Sequence, residues 1–216
     1  MGHWRIYPQG IASYLGICHL LVAGEDKMKA INPIEASLNE SAAAIKALIP
    51  LTLFIDKFAQ AVIETFDSGN KILIVGNGGS AADAQHFAAE MMVRYKKNGI
   101  PLPAIALTTD TSILTATGND FDFDQIFARQ VEALGKRGDM LLALSTSGKS
   151  RNVHRAVEVA KNLGLFTVAL TGSTGSRLAQ LAQLTIKVPH TATSRIQEAH
   201  IAILHAVCEV VEAQKR

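Results

Sequence analysis

His86 and Glu90 stand four residues apart in a segment of helix-forming residues. On a helix they are stacked neighbours, an imidazole and a carboxylate placed to share one metal ion or one substrate. The same spacing also describes an ordinary surface pair or a packed histidine. Just ahead of them, Gly76-Asn77-Gly78-Gly79-Ser80 carries almost no side-chain bulk. Its backbone N–H groups can approach a ligand, and a helix opening there aims its positive end at an anion. A loose dinucleotide pattern, Gly76-x-Gly78-x-x-Ala81, fits the same residues. A second cluster, Ser145-Thr146-Ser147-Gly148-Lys149-Ser150, gathers four hydroxyls in six residues. Many donors with little bulk suit a phosphate monoester, although a helix N-cap with incidental serines reads the same way. Ser-Gly-Lys-Ser lacks the earlier glycine that a P-loop requires, which rejects nucleotide hydrolysis.

Both clusters need a scaffold that brings them together. Lys71 to Val75 is a short apolar, β-branched run of the kind that forms a strand covered on both faces, and it ends on Gly76. Further strands are expected at Ala104 to Leu107, Met140 to Leu144, Phe166 to Leu170 and Thr185 to Val188. Helical patterns fall at Phe123 to Leu134, Arg151 to Leu163 and Gly175 to Ala182, with Arg195 to Ala213 closing the chain. Before the first strand, Ile34 to Leu48 and Leu51 to Phe66 read as two helices divided at Pro50. The apolar stripe of the second, Leu51, Phe54, Ile55, Phe58, Val62 and Phe66, packs on the sheet or on another subunit. The alternation predicts an α/β protein, a doubly wound five-stranded parallel sheet with N-terminal helices. In such sheets ligands bind beyond the carboxyl ends of the strands, where both clusters fall. Thr171-Gly172-Ser173-Thr174-Gly175, after a later strand, reads as a turn.

Composition narrows the function. The 216 residues are 48% apolar and 19% charged, with a formal charge of +2 and no Lys/Arg cluster, which argues against nucleic acid as a partner. Cys18 and Cys208 lie far apart in the chain, which suits a reducing cytoplasm and excludes a thiolate zinc cluster. Ile11 to Ala23 is too short to span a bilayer, so no membrane role is expected. Residues 1–27 read as an N-terminal extension ahead of a start at Met28, leaving 28–216 as one domain.

GNGGS, STSGxS, the tripeptide Gly118-Asn119-Asp120 and the late run Arg195-Ile196-Gln197-Glu198-x-His200 occur in that order. Together they resemble the sugar isomerase (SIS) domain, whose sheet is flavodoxin-like, and within it the phosphoheptose isomerases, from about Met28 to the C-terminus. That resemblance implies interconversion of sedoheptulose 7-phosphate and D-glycero-D-manno-heptose 7-phosphate, the first step of heptose supply for lipopolysaccharide. It implies a sugar-phosphate site built from Asn77, Gly78, Gly79, Ser80, Glu90, Asn119, Asp120, Ser145, Thr146, Ser147, Ser150 and Gln197. It implies one zinc per subunit on His86, Glu90, Gln197 and His205, with Glu90 as base and His205 as acid. It further implies a cytoplasmic homotetramer with active sites between chains. Ser194 departs from the pattern, since some members carry an acid just before Arg-Ile-Gln.

Gln197 and His205 are eight residues apart, about 12 Å along a continuous helix. Either that helix is irregular or the ligands come from neighbouring subunits. His200 and Glu198 read as structural, His154 as solvated, and His190 as unassigned. A rival is a non-enzymatic SIS tetramer that binds the replication initiator DnaA, which would have no need to keep Glu90 beside metal ligands. A nicotinamide site is weaker, because its acid would have to be Asp110, later than the usual spacing.

Overall fold

The computed structural model describes residues 32–215; the expected extension 1–27 lies outside them. The described residues fall into two units that divide between Ala36 and Ser37. In the first, the Asn32 side chain accepts the Ile34 N–H at 2.9 Å and so caps the start of α1 (Pro33–Lys46). In the second, a 3₁₀ turn at Ile49–Leu51 carries Pro50 and breaks the helical run before α2 (Thr52–Asp67). Gly69, at φ +73°, then turns the chain into the sheet.

Five parallel strands follow: β1 (Ile72–Gly76), β2 (Ala104–Ala106), β3 (Met140–Ser145), β4 (Phe166–Gly172) and β5 (Leu184–Val188). They lie in the order β2-β1-β3-β4-β5. Between and after them come α3 (Gly79–Met92), α4 (Thr111–Asp120), a 3₁₀ turn (Phe123–Gln125), α5 (Ala128–Leu134), α6 (Arg151–Asn162), α7 (Ser176–Leu181) and α8 (Thr193–Lys215). Every residue of β1 and β3 is buried, as their unbroken apolar runs require. Alternate side chains feed two cores. Ile72, Ile74, Leu142 and Leu144 pack with α2, α3 and α8, whereas Leu73, Val75, Leu141 and Ala143 pack with α5 and α6.

The register sets Gly76 beside Leu144, so the loops leaving β1 and β3 start side by side. This is where the order of connections reverses, the position at which doubly wound sheets open a crevice. At the opposite ends of the same strands the buried Asp139 carboxylate accepts from the Lys71 ammonium at 2.5 Å and from the backbone N–H groups of Lys71 and Lys136. That clamp ties the starts of β1 and β3 together at the end away from the loops.

One helix was not expected. α4 is rich in threonine and contains Gly118, which hides a helical pattern, but Asp110 caps it by accepting the Ile113 N–H at 2.9 Å. Asp110 is therefore a helix cap, which removes the acid that a nicotinamide site would need. The single helix expected over Phe123 to Leu134 is instead a 3₁₀ turn followed by the short α5.

Candidate active site

Two loops and two helices carry most of the candidate site residues. In the first loop Gly78 has φ +56°, a conformation that glycine tolerates, and it turns the chain directly into α3. Gly79 is small for a different reason: a Cβ there would fall 2.1 Å from the Gln197 amide nitrogen. The half-buried Gln197 side chain therefore lies on the opening turn of α3. The Ser80 side chain is buried.

The second loop joins β3 to α6. Ser150 is the N-cap of α6 without a capping side-chain bond; its hydroxyl lies 3.1 Å from that of Ser145. Ser147 is exposed, and its hydroxyl accepts the Lys149 N–H at 3.2 Å. Thr146 is half-buried, and its carbonyl accepts the Gly172 N–H. Gly172 is the last residue of β4, and its carbonyl accepts the Gly175 N–H at 3.1 Å, so the chain turns there directly behind the loop.

Asn77 and Asn152 exchange amide hydrogen bonds, both 2.9 Å, and tie the two loops together. Asn152 was not singled out by motif, although a buried asparagine in the first turn of a helix must find partners for its amide. His154 was expected in solvent. It is instead buried, with Nε2 2.8 Å from the Gly148 carbonyl oxygen.

α3 and α8 run side by side in the same direction. Gln197 meets Gly79, His205 meets His86, and the Glu212 carboxylate accepts the N–H groups of Lys96 and Lys97. His86 Nε2 lies 2.9 Å from His205 Nε2 and 3.3 Å from Glu90 Oε1, and the Tyr95 ring stands 5.7 Å from the His205 ring. Two ring nitrogens that close require either one N–H facing one lone pair or two lone pairs facing a shared cation. α8 is an unbroken helix of 23 residues, so an irregularity at Gln197 does not bring it to His205. Among the described residues no three His, Cys, Asp or Glu side chains close into one metal-holding group. His86 instead bridges Glu90 and His205 pairwise. Asn119 and Asp120 end α4, exposed, and pair with each other at 2.8 Å rather than with either loop.

Asp83 is a further residue that motif reading missed. It is 8% exposed, its Oδ2 lacks a hydrogen-bond partner, and with Ser194, Gln197 and Glu198 it lines a cavity of about 300 Å³. Burial pushes its carboxyl up to about 6, against the pull of nearby His86. Its place three residues before His86, on one helix face, was the available signal.

Residues 38–172 match the SIS domain family. The chain is 50% identical to a phosphoheptose isomerase of Roseiflexus sp. over 182 residues, covering 84% of this chain and 91% of that protein. The chain belongs to the phosphoheptose isomerases of the SIS family.

The fold agrees with solved structures of other phosphoheptose isomerases. That of GmhA from Neisseria gonorrhoeae superposes with a TM-score of 0.79 at 44% identity, over 83% of this chain and 97% of that one. That from Francisella tularensis gives 0.80 at 38% identity, over 83% and 96%. His200, expected to be structural, is fully buried, and neither ring nitrogen has a hydrogen-bond partner. Burial drives it down to about 4, the Thr171 backbone pulling weakly the other way, so it is a neutral core imidazole. Glu198 is held by Arg195 at 2.9 Å and by the Ser41 hydroxyl at 2.7 Å. His190 accepts the Ala192 N–H on Nδ1 at 3.0 Å.

Proposed function

We propose that the protein interconverts sedoheptulose 7-phosphate and D-glycero-D-manno-heptose 7-phosphate by proton transfer through an enediol. The observation that carries this reading is the joining of the glycine loop to the hydroxyl loop, through Asn77 and Asn152, at the β1/β3 reversal. The hydroxyls of Ser145, Thr146, Ser147 and Ser150 and the loop amides take the phosphate, a dianion that needs many donors. Asn77, Gly78, Gly79, Ser80 and Gln197 line the sugar. Asn119 and Asp120, exposed at the end of α4, meet its hydroxyls from the rim.

Glu90 removes the proton from the carbon next to the carbonyl while His205 gives a proton to the carbonyl oxygen, producing the enediol. The same two groups then work in reverse one carbon along, so charge and protons balance over the cycle. His86, Glu90 and His205 carry the donor types zinc prefers, and 3.3 Å between His86 and Glu90 suits two ligands of one tetrahedral ion. One zinc per subunit, with Gln197 as the remaining ligand, would polarise the substrate oxygens when bound.

Two spacings favour a site assembled between subunits. Glu90 stands eleven residues beyond Gly79, about 16 Å of helix, which exceeds the reach of one heptose phosphate. Gln197 is likewise about 12 Å of helix from His205 in one chain. Leu38, Ile49 and Leu53, exposed to 65%, 64% and 63%, offer apolar surface for the homotetramer this requires. The enzyme proposed here works in the cytoplasm and feeds lipopolysaccharide synthesis; as a separate fact, no described helix is long and apolar enough to cross a membrane.

The test is product formation from sedoheptulose 7-phosphate, with and without chelator. Glu90→Gln should reduce kcat by at least about a thousandfold while the oligomer seen by light scattering is unchanged. Near-normal turnover in that variant would remove Glu90 as the base.

A further inference from the structure

The hydroxyl loop contains one peptide unit that glycine leaves free to turn. Gly148 has φ +62°, and a Cβ there would lie 2.4 Å from Gly175 Cα, so the loop is pressed against the turn behind it and only glycine fits. Its N–H is held by the Ser145 carbonyl at 3.1 Å, and the Thr146 carbonyl is held by Gly172. These bonds fix the first half of the loop. The Gly148–Lys149 peptide is the next unit, and the bond to its carbonyl comes from a side chain, His154. A carbonyl only accepts, so His154 Nε2 carries the proton and donates it over 2.8 Å.

A trans peptide is planar, with its C=O and N–H pointing in opposite directions. Anchoring the Gly148 carbonyl inward therefore turns the Lys149 N–H outward. There it meets the hydroxyl of exposed Ser147 at 3.2 Å. His154 is well placed to impose this orientation. It is buried, and its own N–H is held by the Ser150 carbonyl at 3.0 Å, so the residue closes the loop upon the first turn of α6.

We infer that His154 is a positioning residue of the phosphate site, holding the Gly148–Lys149 peptide so that its N–H donates to the Ser147 hydroxyl oxygen and leaves the hydroxyl proton to face the phosphate. This rests on the reading of the 145–150 loop as the phosphate site. Without the imidazole donor, the glycine lets the peptide turn over and Ser147 loses the amide that orients its hydroxyl.

His154→Phe keeps the buried ring volume and removes the donor, whereas His154→Gln restores an N–H at similar reach. Inorganic phosphate binding by calorimetry and steady-state kinetics with the sugar phosphate read the effect, with Ser147→Ala as the reference. In His154→Phe, phosphate should bind about tenfold more weakly and KM should rise by a similar factor, with kcat kept within about twofold. His154→Gln should recover most of the affinity. Unchanged affinity in His154→Phe while Ser147→Ala loses it overturns the inference, as does a fall in melting temperature shared by both His154 variants with affinity intact. If Ser147→Ala also binds phosphate like the parent, the phosphate reading of the loop falls, and the inference with it.

Discussion

At the scale of single residues, the site depends on close approaches that leave no room for added atoms. Gly79 is the clearest, because the Gln197 amide occupies the volume a side chain would take. Gly79→Ala should cost little stability, since alanine favours the helix and the obstructing atoms are the flexible end of Gln197. The displaced amide should nevertheless lower kcat/KM by about a hundredfold, as misplacement of a contact by roughly an ångström does. Equal losses of stability and activity, measured by chemical denaturation beside kinetics, would show that Gln197 is only packing there. His86, Glu90 and His205 were legible in sequence as donor types. The His86–Glu90 pair followed from its spacing of four, but His205 entered only through the resemblance, because its approach to His86 joins residues 119 apart in sequence on two helices lying side by side.

At the scale of elements, the β1 and β3 pair carries both loops, and its far end is held by Asp139. This carboxylate is 2% exposed and accepts three donors, two of them backbone N–H groups. Asp139→Ala leaves the Lys71 ammonium without its partner and should cost about 3 kcal/mol, at the low end for a buried pair because Lys71 is partly exposed. The urea midpoint checks this; a change below about 1 kcal/mol would mean that the strands alone set the spacing of the loops. The apolar runs made every strand legible. Helix α4 was not, since a threonine-rich segment with an internal glycine has weak helical propensity and is held by its cap and its neighbours.

At the scale of the whole molecule, acid stability balances two buried groups of opposite sign. The folded chain keeps His200 neutral down to about 4, whereas the unfolded chain protonates it near 6.5, so its contribution is full above 6.5 and lost as pH falls towards 4. Asp83 holds its proton up to about 6 when folded but only to 3.8 when unfolded, so its contribution is present below 3.8 and lost as pH rises to 6. Calorimetry from pH 4 to 6.5 should show Asp83→Asn losing melting temperature on acidification more steeply than the parent, and His200→Phe less steeply. Parallel curves for all three would place both titrations elsewhere. The sequence by itself determined the strands, the order of the motifs and the donor types of the candidate site, because these follow from local pattern and residue chemistry. Only the tertiary structure decided that Asn77 pairs with Asn152, that His154 is buried against the hydroxyl loop, and that Gln197 lies on Gly79 rather than beside His205. Each of these is a contact between segments distant in sequence or a burial imposed by packing, and neither is encoded in the spacing of neighbouring residues.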